Sequence, residues 1–202
     1  TLKQVCKTAG EKNIHLVTFT EDAFLIDYRR EEEFISIAKE QAVKYKQNIL
    51  LGFDLSENEN GKNENKIVFL DADGNILVDY TKNMLIPIVE SFLYEEGDGK
   101  IPFIDLTIDG HPVRLSFVIC YDSDIPEFTY KINSETDILL VPSWDWKAIK
   151  NLHNVDIASA ICSTLSESFP ETSGRKRNRK GSRRSAVKKS SHMLLPPPRA
   201  GR

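Results

Sequence analysis

The 202-residue chain has only three cysteines, Cys6, Cys120 and Cys162, and none of them forms a C-x-x-C pair. They are too few and too scattered for a disulfide scaffold or a thiolate zinc site, and reduced thiols are expected. The four histidines, His15, His111, His153 and His192, are equally dispersed. No ligand-spaced cluster results, so neither a metal nor any other cofactor is expected. No apolar run approaches the roughly 18–20 residues that cross a bilayer, and no secretory leader opens the chain. The expected location is cytoplasmic. Because the first residue is Thr rather than Met, the sequence reads as part of something longer. A parent protein with transmembrane helices would make it membrane-associated.

A strong net charge is missing too, with 27 basic against 30 acidic residues and a formal charge of -3. That balance conceals an asymmetry. Residues 171–202 hold eleven Lys/Arg and a single acid, Glu171, which leaves 16 basic against 29 acidic residues before position 171. An acidic body of residues 1–162 therefore carries a basic tail, 163–202. The tail is rich in Ser, Arg and Lys, runs to a Leu-Leu-Pro-Pro-Pro stretch near its end, and buries too little apolar surface to offset its ordering entropy. Disorder is expected there. A run such as Arg175-Lys-Arg-Asn-Arg-Lys-Gly-Ser-Arg-Arg184 offers nucleic acid or an acidic membrane a surface, but no aromatics are interleaved. A solvated extension is the preferred reading.

The body is 40 % hydrophobic along with the rest of the chain, and its length suits one layered domain with a real core. Residues 3–13 look helical, and 14–19 (Ile-His-Leu-Val-Thr-Phe) read as a buried strand. Residues 29–46 place Phe34, Ile35, Ala38, Ala42 and Tyr45 on one helical face, with acids at the start and lysines at the end. Strands follow at 48–54, 66–70 and 76–80, the last two joined by Asp71-Ala-Asp-Gly-Asn75. A second hairpin spans 101–108 and 113–119, a late strand runs over 137–142, and a helix begins at 153–161. Together these predict an α/β or α+β sheet domain.

Three residues with chemistry lie at predicted strand ends. Cys120 closes Val118-Ile119-Cys120-Tyr121-Asp122, Glu21 follows the strand at 14–19, and Lys82 follows the strand at 76–80. Read singly, Cys120 is a core thiol and the other two are solvated surface charges. Read together, they are a thiol, a carboxylate and an ammonium. Those are the parts needed to deprotonate a thiol, attack a carbonyl or nitrile, and stabilise the oxyanion that forms.

Three stretches resemble, in order, the signature regions of the nitrilase (carbon–nitrogen hydrolase) superfamily. They are the apolar strand ending in Thr20-Glu21, then Tyr80-Thr-Lys82-Asn-Met-Leu-Ile-Pro87, then Ile119-Cys-Tyr-Asp-Ser-Asp-Ile-Pro-Glu127. Within that superfamily the chain is most similar to the catalytic domain of apolipoprotein N-acyltransferases. Leu85-Ile86-Pro87 with Glu90 resembles that branch, as does Val141-Pro-Ser-Trp-Asp-Trp146 with His153. The resemblance covers roughly residues 10–161 and implies a four-layer α-β-β-α sandwich of α+β class. No earlier strand and no family-like later strands are visible, so the sandwich is expected to be incomplete at both ends.

The resemblance further implies a Glu-Lys-Cys triad, with Cys120 as nucleophile, Glu21 as general base and Lys82 stabilising the tetrahedral intermediate. The Tyr121 N–H completes the oxyanion hole, Glu90 is a supporting carboxylate, and Trp144, Trp146 and His153 are substrate-binding candidates. The substrate is a small amide or acyl donor, resolved from its thioester by water in an amidase or by an amine in an acyltransferase. A complete domain of this kind is expected to form a homo-oligomer. A catalytically silent binding module is the alternative from another class. The catalytic reading requires Glu21, Lys82 and Cys120 to converge on one pocket, with Glu90 at its edge.

Overall fold

In the computed structural model, residues 1–108, 110–132 and 136–144 are described. Helix α1, Leu2–Glu11, buries Leu2, Cys6 and Ala9, spaced to fall on one face. Helix α2, Glu31–Tyr45, opens with Glu31, Glu32 and Glu33 in its first turn and has Lys44 in its last, the charge order its dipole favours. It buries Ala38, Gln41 and Ala42. Two of these three are alanines, which let the helix axis lie close to the sheet beneath. Both helices fall where periodicity places them.

The first sheet is built around β3, Asn48–Ser56, in which Ile49 to Leu55 are all buried. A strand covered on both faces reads as a continuous apolar run, as this one does. On one side β3 pairs with β4 (Glu64–Leu70) antiparallel, and β4 with β5 (Ile76–Thr81). On the other side it pairs in parallel with β1 (Leu16–Thr18) and, further along, with β2 (Leu25–Asp27). The second sheet has the order β6-β7-β8, formed by Phe103–Ile108, His111–Phe117 and Ile138–Leu140, with β7 and β8 parallel.

Strand alternation sorts the core into layers. Ile49, Leu51, Phe53 and Leu55 face α1 and α2 together with Val68 and Leu70. Leu50, Ile67, Phe69, Val78 and Tyr80 point the other way and meet Leu115, Phe117, Ile119 and Leu140 of the second sheet. The far face of that sheet, with Val118, Leu139 and Val141, is covered by Ile101, Ile132 and Phe128 of α3 (Pro126–Thr129). The order is helix, sheet, sheet, helix, an α+β sandwich as expected.

Three details differ from the sequence reading. The strand expected over 14–19 is regular only over Leu16–Thr18, although the Phe19 N–H still donates to the Leu50 carbonyl at 2.8 Å; its ring packs at a tilt against Phe24, which in turn meets Phe34 of α2. Strand β2 and helix α3, three and four residues long, are too short for periodicity to reveal. The helix expected at 153–161 and the basic tail lie outside the described residues. Among the described residues, no helix is long and apolar enough to cross a membrane.

Phe69 is fully buried between the sheets, its ring 5.3 Å from that of Phe117. Phe69→Ala should therefore lower unfolding stability by about 3–5 kcal/mol in urea titration, the range for an aromatic cavity.

Candidate active site

The loops that leave β1, β5 and β7 bring their side chains to one rim. After β1 the chain passes through Thr20 to Glu21, with Asp22 in the left-handed region at φ 53. Gly52 of β3 allows this passage, since a Cβ there would sit 2.2 Å from the Thr20 carbonyl oxygen. Glu21 is carried inward until only 4 % of it is exposed. Lys82, the residue after β5, has no exposed surface at all.

A buried ammonium needs compensation, and Lys82 has two carboxylates. Its Nζ donates to Glu21 Oε1 at 2.8 Å and to Glu90 Oε1 at 2.7 Å. Glu21 is held on both oxygens: Oε1 also accepts from Asn65 Nδ2 at 2.8 Å, and Oε2 accepts from the Trp144 backbone N–H at 2.9 Å. Glu90 Oε2 accepts from the Ile86 N–H at 2.7 Å, fixing the loop that carries it. Burial alone would lower the lysine pKa. The charges of Glu21 and Cys120, with the hydrogen bonds that the ammonium donates to both glutamates, outweigh burial and raise it above the ordinary value.

Cys120 is half-buried and has φ 41, left-handed for a non-glycine residue. Its N–H donates to the Pro142 carbonyl at 2.9 Å, and it starts the 3₁₀ turn Cys120–Asp124. Strain of this kind, costing on the order of 1–3 kcal/mol, persists where surrounding contacts dictate the backbone. Here Asp122 supplies them. Its fully buried carboxylate accepts from Ile119 N (2.9 Å) and Tyr80 Oη (2.6 Å) on Oδ2, and from Asn83 N (3.1 Å) and Met84 N (2.6 Å) on Oδ1. One side chain thereby ties the turn of Cys120 to the strand and loop of Lys82. Burial pushes the Asp122 pKa up, against the donors that favour its charge.

The structure joins Glu21, Lys82 and Glu90 by hydrogen bonds, and Asp122 ties the turn of Cys120 and Tyr121 to the loop that follows Lys82. Trp144 contributes its backbone N–H, while 65 % of the residue is exposed. Trp146 and His153 lie outside the described residues. Sequence reasoning missed two members, Asn65 and Asp122. Asn65 lies in the polar first half of β4, Glu64-Asn65-Lys66, where nothing marks it as buried, and Asp122 stands inside the cysteine motif without an indicated partner. Among the described residues, no group of three or more His, Cys, Asp or Glu has metal-holding geometry. A separate polar cleft of about 480 Å³ is lined by Asp79, Tyr80, Thr81, Glu95 and their neighbours, and includes none of Glu21, Lys82 or Cys120.

Comparison with known proteins gives this geometry a context. Residues 1–160 match the family model described as carbon-nitrogen hydrolase. A curated relative, "Hydrolase in pqqF 5'region" from Pseudomonas protegens, is 29 % identical over 96 residues, which cover 47 % of this chain and 32 % of the relative. Among solved structures, the carbon-nitrogen hydrolase from Helicobacter pylori G27 superposes with a TM-score of 0.59 at 18 % identity, covering 80 % of this chain and 62 % of that one. A variant of the amidase from Nesterenkonia sp. AN1, with the acetamide moiety of fluoroacetamide covalently added at its active site cysteine, gives a TM-score of 0.61 at 18 % identity. That match covers 74 % of this chain and 60 % of the amidase. The chain thus spans about a third of the curated relative and about three-fifths of the solved structures.

Lys82→Met should strand two buried carboxylates and cost on the order of 3–5 kcal/mol of unfolding stability, read by urea titration. Because the ammonium pKa is raised, its stabilising contribution is fully present below about 10.4, the ordinary lysine value. It is lost only as pH rises through the higher folded-state value, so the difference between wild type and variant should be constant from neutral pH to pH ~9.

Proposed function

The chain belongs to the carbon-nitrogen hydrolase family, and from that premise we propose that it hydrolyses an amide through a cysteine thioester, with Cys120 as nucleophile, Glu21 as base and Lys82 as the cationic stabiliser. The observation that carries this reading is the buried Lys82 ammonium, hydrogen-bonded to Glu21 and Glu90, on a loop that Asp122 ties to the turn of Cys120.

In the first half-reaction Glu21 takes the Cys120 proton while the sulfur attacks the amide carbon. Negative charge then develops on the carbonyl oxygen. The Lys82 ammonium, held between its two carboxylates, and the Tyr121 N–H stabilise it. Protonated Glu21 returns the proton to the amide nitrogen, the C–N bond breaks, the amine leaves, and an acyl-thioester remains. In the second half-reaction Glu21 deprotonates a water that attacks the thioester. Collapse of the adduct releases a carboxylic acid and regenerates the thiol. Glu21 suits both halves because its two oxygens are fixed by Asn65, Lys82 and the Trp144 N–H. Glu90 holds the far side of the ammonium. The covalent acetamide adduct on the active site cysteine of the Nesterenkonia amidase supports the same nucleophile chemistry here.

A second reading, transfer of the acyl group to an amine, uses the same thioester. The loop beyond Lys82 favours it: Ile88 is 83 % exposed and Phe92 76 %, with Val89 and Leu93 beside them, all flanking Glu90. Such a rim suits a long acyl chain better than acetamide. Adding a primary amine to the assay separates the two, since an acyltransferase diverts the acyl group to it while a hydrolase continues to release acid.

Cys120→Ala should abolish ammonia release from a panel of primary amides with an unchanged circular dichroism spectrum. Glu21→Gln should lower kcat/KM by about 10²–10⁴-fold, the usual contribution of a general acid–base group. A residual rate above a few per cent in the Cys120 variant, or a mere twofold loss in the Glu21 variant, rules out this mechanism.

A further inference from the structure

Behind the proposed base lies a carboxyl pair that the mechanism above does not use. Asp22, next to Glu21, and Asp54, on β3, are close enough for each carboxyl to act on the other. The buried Oδ1 atoms of both are without a donor. Two ionised carboxylates have no hydrogen to place between them, and like charges at that separation cannot both persist in a dry site. One proton between them removes both difficulties. The remaining contact fixes what the pair touches: Tyr94 Oη donates to Asp54 Oδ2 at 2.6 Å, and the Tyr94 N–H donates to the Glu90 carbonyl at 2.9 Å. A path of interacting groups therefore runs from the residue beside Glu21, across β3, to the turn that bears Glu90.

We propose that Asp22 and Asp54 share one proton and, through Tyr94, form a positioning unit that sets the Glu21 loop against the Glu90 loop, and that loss of this proton loosens the site at alkaline pH. This rests on the catalytic reading above. The charged groups acting on Asp22 are Glu21, Asp54 and Lys82, and the same Glu21 and Lys82 act on Asp54. Tyr94 also feels Asp54, Asp22 and Glu90. Burial, reinforced by Glu21 and Asp54 and only partly countered by Lys82, pushes the Asp22 pKa up to about 8. A raised carboxyl pKa means the arrangement is fully present below the unfolded value of about 3.9 and is lost as pH rises through about 8. Above that pH a second negative charge faces Glu21, and the strained turn at Asp22, φ 53, loses its tie to β3.

Asparagine at position 22 tolerates the left-handed backbone and donates permanently where the shared proton donates. Asp22→Asn also leaves the pair with the single charge it carries at neutral pH.

The test combines infrared spectroscopy with the pH profile of ammonia release from a primary amide, both on the full chain. The wild type should show a protonated-carboxyl band at neutral pH that disappears as pH rises through about 8, with kcat/KM falling over the same range. Asp22→Asn should lack the band, and its alkaline fall should move to higher pH. Asp22→Ala should lose roughly ten- to a hundred-fold in kcat/KM, the scale of a displaced catalytic group, with most of that recovered in Asp22→Asn. Tyr94→Phe, which removes a donor to the charged form, should move band and profile upward together, and serves if an Asp22 variant fails to fold. A wild type without the band, a band that persists in Asp22→Asn, or an alkaline limb unmoved in that variant overturns the proposal. If the wild type shows the band but releases no ammonia at any pH, the shared proton stands, while the catalytic reading and the positioning role both fall.

Discussion

One ammonium organises this end of the molecule. Lys82 Nζ, with no exposed surface, would be deprotonated or expelled if it stood alone. It is retained because Glu21 and Glu90 each approach within hydrogen-bonding distance. Glu21 arrives on the loop after β1 and Glu90 on the same connection as Lys82, so the requirement to neutralise one buried charge both folds that connection on itself and fixes it against the Glu21 loop. In water such an ion pair contributes little, but in a dry rim the attraction and the desolvation cost both grow. That balance makes the arrangement sensitive to any single missing partner. Asp122 adds a second restraint from below, tying the backbone around Cys120 to Tyr80, Asn83 and Met84. The thiol and the ammonium thus sit on two segments that cannot shift independently.

The layers are what make such a rim available. Strands β1, β5 and β7 end at the same side of the two packed sheets, and the residues just beyond them emerge between the layers. There the walls are apolar but backbone N–H groups and carbonyls are no longer all used by ladders. A site at this position inherits both a low-dielectric wall and fixed dipoles. The sandwich is shared with amidase structures at only 16–18 % identity. Backbone layering of this kind therefore tolerates nearly complete replacement of the side chains that fill it.

Local periodicity carried much of the fold in the sequence. Helix α2 and the hairpins either side of Asp71-Ala-Asp-Gly-Asn75 and Asp109-Gly110 are self-contained patterns, and they lie where expected. The short pieces, β2 and α3, exist because of what they pack on, and no window of residues records that. The site divides in the same way. Cys120, Glu21, Lys82 and Glu90 stood out through motif resemblance, whereas taken alone Glu21 and Lys82 read as solvated charges. Their burial at 4 % and 0 % reverses that reading. Asn65, Asp122 and the Asp22–Asp54 pair were not legible, because nothing in the local sequence names the partner of a polar residue. Asp22 and Asp54 are 32 positions apart in sequence, and the pairing that sets Leu25 of β2 opposite Asp54 brings the two stretches together.

The contact at Gly52 limits how such a protein can diversify. Elsewhere in β3 one apolar side chain can be exchanged for another with modest repacking, so substitutions there accumulate stepwise. At position 52 the first carbon of any side chain already collides with the Thr20 carbonyl oxygen, so there is no intermediate step between glycine and a rebuilt base loop. The strand and the loop bearing Glu21 must therefore pass through a lineage as one block, frozen against gradual drift. New substrate preferences can arise stepwise at the exposed side chains of Ile88 and Phe92, which meet no such obstacle.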